Sequence, residues 1–63
     1  MKNKETAMYE VQVRKSEVEE WKLVVNANMP GLARSQVDGV KKYYPGCEVR
    51  VWDSRKNKDI TNG

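Results

Sequence analysis

The chain contains no histidine and no phenylalanine, a single cysteine (Cys47) and two prolines in 63 residues. Each shortage closes off a class of function. Without histidine, the usual base of a nucleophilic triad is missing, and so are the mixed Cys–His ligand sets of structural zinc. One thiol cannot form an internal disulfide. No stretch approaches the roughly 18 apolar residues of a membrane span. The charged opening Met1-Lys2-Asn3-Lys4-Glu5 leads into no apolar signal segment. A lone thiol with no signal segment suits a reducing setting, so the expected location is cytoplasmic, with no membrane partner.

Catalytic groupings are equally scarce. Met29-Pro30-Gly31 and Pro45-Gly46 are turn punctuation, and no Gly-rich phosphate loop is present. Glu17, Glu19 and Glu20 gather in one polar stretch, which reads as a solvated turn. General acids arise where carboxylates are forced together in apolar pockets, and nothing in the pattern does that. Cys47, at the start of an alternating run, reads as a small core residue or an inert thiol. A chain this short also lacks room for a typical ligand pocket of about 300 Å³ or more. The expectation is a protein without catalytic activity, metal or cofactor.

What is present is alternation. Tyr9, Val11 and Val13 alternate with Glu10, Gln12 and Arg14, the period-2 pattern of a strand with one buried face. After the polar stretch Lys15 to Glu19, Trp21, Leu23 and Val25 alternate with Lys22, Val24 and Asn26, completing an antiparallel hairpin. Asn28 is placed to cap a helix, and Pro30 is tolerated in its first turn. Ala33, Val37, Val40 and Tyr44 then recur at helical spacing, with Arg34, Ser35, Asp38, Lys41 and Lys42 on the other side. Gly39 on the flank would permit close approach to a sheet. Pro45-Gly46 ends the helix. A third strand follows, with Cys47, Val49 and Val51 alternating with Glu48, Arg50 and Trp52.

These elements predict an α+β fold: a two-layer ββαβ domain with a three-stranded antiparallel sheet in order 2-1-3 and one helix on one face. Residues 1–7 read as a flexible arm, 8–53 as the domain and 54–63 as a flexible tail. The covered face should carry Tyr9, Val11, Val13, Trp21, Leu23, Val25, Val49 and Val51. The open face should carry Glu10, Gln12, Arg14, Lys22, Val24, Glu48, Arg50 and Trp52. A domain of this size buries only about 60 % of its unfolded surface, so help from a second copy of the chain is in keeping with its length.

Trp and Arg are the residues most enriched at interface hot spots. Trp52 beside Arg50, with Arg14, Lys22 and Val24 on the same face, therefore forms the candidate protein-binding patch. Twelve Lys and Arg against nine Asp and Glu give a net charge of +3 and a sequence pI near 9.2. The excess is mixed with acidic residues, yet Arg34, Lys41 and Lys42 on the helix and Arg55, Lys56 and Lys58 in the tail are candidates for phosphate contacts.

In layout, the stretch Tyr9 to Asp53, with its corner Tyr43-Tyr44-Pro45-Gly46-Cys47-Glu48-Val49, resembles the small phage-encoded inhibitors of bacterial RNA polymerase. That family has a short arm, two strands, a helix, an aromatic-Pro-Gly corner and a last strand. The resemblance implies a non-enzymatic phage or mobile-element protein that grips a host protein through charged residues, including acidic ones near the start and arginines on the last strand; here the last strand carries Arg50, without a clear match in register. The arm of this chain is basic where the family's is acidic. Three functions stay open on these grounds: a protein-binding module acting on a host partner, a small basic nucleic-acid binder, and a self-associating structural domain such as a homodimer.

Overall fold

The computed structural model describes residues 8–62; the arm expected over 1–7 lies outside them. Two alternating segments form the antiparallel pair β1 (Tyr9–Arg14) and β2 (Lys22–Ala27). Two short helices follow, α1 (Pro30–Ser35) and α2 (Val37–Tyr43), then β3 (Glu48–Asp53) and a two-residue β4 (Lys58–Asp59). The fold is α+β, with an antiparallel sheet in order β2-β1-β3-β4 and both helices packed against it. The three-strand order expected from the sequence is present, extended by a fourth strand. No helix among the described residues is long and apolar enough to cross a membrane.

The helical stretch starts one residue later than the expected cap. Met29, not Asn28, holds the extended N-cap position (φ −130°, ψ 141°), and no side chain caps the helix. Pro30 opens α1, where its missing N–H costs nothing. At Gln36 the turn tightens, its N–H donating to Ala33 O at 3.1 Å, and this divides α1 from α2. The chain leaves α2 through Pro45-Gly46. Gly46 takes φ +83°, a left-handed conformation that side chains with a Cβ rarely adopt. Gly39 serves no close approach, for a Cβ there would meet nothing within 4 Å.

The core is built from small branched residues. Val11, Val13, Ala27, Ala33, Val40, Val51 and Ile60 are buried, ringed by half-buried Tyr9, Val24, Val25, Val37, Cys47 and Val49. Of the expected helical stripe, Ala33 and Val40 are buried, Val37 is half-buried and Tyr44, past the end of α2, is 40 % exposed.

Two larger expectations are also overturned, each for a physical reason. First, β2 does not alternate straight through. Val11 pairs with Val25 but Gln12 pairs with Leu23, so Val24 is an extra, unpaired residue: a β-bulge. Because side chains alternate with period 2, one extra residue exchanges the faces of everything before it. Val24 therefore packs on the core, whereas Leu23 is 53 % exposed opposite Gln12. Lys22 pairs with Val13 and leaves the open face, and Trp21 joins that face.

Second, residues 54–62 are not a loose tail. The buried carboxylate of Asp53 accepts the backbone N–H groups of Arg55 (3.0 Å) and Lys56 (3.1 Å), which starts a turn. Asn57 completes it at φ 54°, a conformation asparagine tolerates better than most residues. Ser54 ties the turn to Met8 O through its N–H (3.0 Å) and its hydroxyl (2.8 Å). The chain then returns along β3, and Ile60, whose N–H donates to Val51 O at 2.8 Å, closes the core.

Two stability measurements follow. Ile60→Ala should lower the unfolding free energy by about 2–4 kcal/mol, a large share of what a chain this short has; a urea midpoint unchanged from wild type would show that the tail is not part of the core. Val24→Asp should cost several times more than Leu23→Asp, since only the first places a charge against the core, where burial is costly. Unbroken alternation in β2 would reverse that order.

Candidate functional site

The open face of the sheet is assembled from three strands and the residue leading into β2. Strand β1 supplies Glu10, Gln12 and Arg14, and β3 supplies Trp52, Arg50 and Glu48 in direct cross-strand register. The bulge at Val24 brings Trp21 over the same face. There, the Arg14 guanidinium carbon lies 4.4 Å from the centroid of the Trp21 ring. The Arg50 guanidinium is shared by both indoles, 4.3 Å from Trp21 and 4.2 Å from Trp52. The result is one connected run, Arg14–Trp21–Arg50–Trp52, held by attraction between cations and ring faces. Each such contact is worth about 0.5–1 kcal/mol when exposed and about 2 kcal/mol when desolvated.

Polar side chains orient the two arginines. Arg50 Nε donates to Gln12 Oε1 at 2.6 Å, and Gln12 Nε2 in turn donates to Glu10 Oε1 at 2.7 Å. This pairing accounts for the burial of Gln12 on a face that no helix covers. Arg14 Nε donates to Glu48 Oε1 at 3.0 Å, and its NH2 lies 2.9 Å from the same oxygen; among the described residues this is the one salt bridge. Removal from water lowers the pKa of Arg50 from its ordinary value; Asp59 and Glu10 work against that shift, and Arg14 adds to it. The guanidinium is still charged at any physiological pH.

Asp59, opposite Trp52 on β4, borders the stack. Partial desolvation raises its pKa, but hydrogen bonds from the Thr61 hydroxyl and N–H, together with the Arg50 charge, outweigh that and hold the carboxyl below its ordinary value. The Thr61 hydroxyl also accepts the Val51 N–H at 2.9 Å, which joins β3 to the end of the chain.

The candidate residues read from the sequence are thus partly brought together and partly dispersed. Trp52, Arg50 and Arg14 form one site. Lys22 instead lines a small cavity of about 80 Å³ with Val13, Tyr44 and Cys47, and Val24 packs on the core. Trp21, which alternation alone places on the covered face, is the remaining member of the site; only the bulge, which leaves no composition signal, moves it. Among the basic candidates, Arg34, Lys56 and Lys58 line one cleft. Arg55 points its NH1 at the Met8 sulfur (3.3 Å), and Lys41 and Lys42 stand exposed on α2.

No protein-family model matches the chain, and neither a curated protein nor a solved structure is significantly similar to it.

A group whose carboxyl is held below its ordinary value stabilises the fold above that value, 3.8 for Asp59, and the contribution disappears as pH falls through the lower folded-state value. Asp59→Asn should therefore flatten the acid limb of the stability curve below about pH 5 while leaving its shape at neutral pH unchanged. Chemical denaturation across that range measures it, and parallel acid limbs for the two proteins would contradict the coupling.

Proposed function

We propose that this protein is a non-enzymatic binding module that docks on a partner protein through its open sheet face. One observation carries the reading: a guanidinium shared between two indoles, Trp21 and Trp52, on a face that neither helix covers. Trp and Arg are enriched among the few residues that carry most of the energy of protein interfaces, and here both are held in place before any partner arrives. Side chains already ordered lose less entropy on association. Glu10, Glu48 and Asp59 surround the arginines and would repel a phosphate backbone, so the mixed charge of this face suits a protein surface better than nucleic acid.

The partner class follows from the resemblance to small phage-encoded inhibitors of bacterial RNA polymerase. A phage or mobile-element modulator of a host protein fits a small, non-catalytic domain with a preformed aromatic–arginine patch. Arg50 lies on β3, with the short β4 following it, so it occupies an inner position of the sheet and not its end.

Purified bacterial RNA polymerase is the first partner to test, followed by affinity capture from a bacterial lysate. One stoichiometric partner is expected, and Trp52→Ala or Trp21→Ala should weaken it about tenfold or more with the circular dichroism spectrum retained. A partner held equally well by both variants, or none at all, would refute docking through this face. Pairing of two copies along the free β2 edge would instead register as a concentration-dependent dimer in sedimentation.

A further inference from the structure

A second site lies on the other side of the sheet. The cross-strand row Ala27–Tyr9–Asp53–Lys58 ends the covered face where α1 begins, and at this end the chain leaves a cleft of about 250 Å³. Three cations line it: Arg34 from α1, and Lys56 and Lys58 from the β3–β4 hairpin. They come from two distant parts of the chain, and among the described residues none forms a salt bridge. The one carboxylate of the cleft, Asp53, is already engaged by the N–H groups of Arg55 and Lys56. Arg34 is not a free surface arginine either. Its Nη1 donates to Ile60 O at 3.1 Å, which ties the guanidinium to another residue lining the cleft. Tyr9 and the buried Ile60 supply an apolar wall.

We propose that this cleft binds the phosphate of a nucleotide. A phosphate group carries up to two negative charges and three acceptor oxygens, which matches one oriented guanidinium and two ammonium groups better than a single carboxylate would. The volume exceeds that of a bare phosphate and leaves room along Tyr9 for the attached group. Like-charged side chains gathered with one engaged carboxylate also repel one another, and a bound anion relieves that repulsion. The same phosphate chemistry is offered by a free mononucleotide and by the terminal residue of a single strand, and the experiment separates the two.

The whole 63-residue protein, labelled with 15N, would be titrated with AMP and, separately, with a short 5′-phosphorylated oligothymidylate, at low and high salt. Amide shifts are expected at Arg34, Lys56, Lys58 and Ile60, weakening as salt rises. Lys56→Glu/Lys58→Glu should reduce affinity about tenfold or more. Lys41→Glu/Lys42→Glu, with the same change in net charge on α2, should leave affinity within about twofold. Trp52→Ala, on the opposite face, should bind as wild type does, which keeps this site separate from protein docking. Saturation by AMP would assign a mononucleotide; saturation by the oligonucleotide alone would assign a strand end. Absence of shifts with both probes, or equal loss in the two double variants, would overturn the proposal by showing no site or only diffuse charge.

Discussion

The position of a single unpaired residue, Val24, governs the character of both faces of the sheet. Without it, Trp21 would enter a core made of valine and alanine, and Val24 would take its place in water. With it, β2 gives its small branched side chains to the interior and releases the indole to the open face, where two arginines receive it. A bulge costs a ladder position and bends the strand. What is obtained in return is a core of nearly uniform side-chain size and a surface on which both tryptophans meet the same cation.

A core of that kind is thin. Val11 and Val51 are the largest side chains wholly shielded from water, and no aromatic ring is fully enclosed. The end of the chain makes up part of the deficit. Asp53 turns the backbone, Asn57 reverses it, Ile60 fills the remaining space, and Thr61 bonds both to Val51 and to Asp59. The open-face stack and the closure of the tail adjoin one another, since Asp59 pairs with Trp52 across β3 and β4.

How much of this was legible beforehand depended on whether a feature repeats. Strands β1 and β3 announce themselves because Tyr9-Val11-Val13 and Val49-Val51 hold one phase throughout, and their order in the sheet follows from the short hairpin and the helical connection. Strand β2 shows equal alternation on paper, but its apolar residues run Leu23-Val24-Val25, so the unbroken register buries Leu23 and Val25, the bulged one buries Val24 and Val25, and the pattern contains no instruction to shift. The tail is illegible for a different reason: β4 has two residues, too few for any period, and Ile60 is one apolar residue among polar neighbours. Its signals were local instead: an aspartate followed by a polar tetrapeptide ending in asparagine, which is turn chemistry. The candidate patch is half legible, through Trp52 and Arg50 on a regular strand, and half concealed, through Trp21 on an irregular one. The cationic cleft was beyond pattern reading altogether, because Arg34 and Lys58 meet only once the hairpin folds back.

The chain has two tryptophans, and both lie against the Arg50 guanidinium, outside the hydrophobic interior. Its near-ultraviolet emission is therefore a view of one exposed surface. Any molecule settling there alters the surroundings of both fluorophores together, so the native protein carries an optical reporter placed where recognition is proposed to happen.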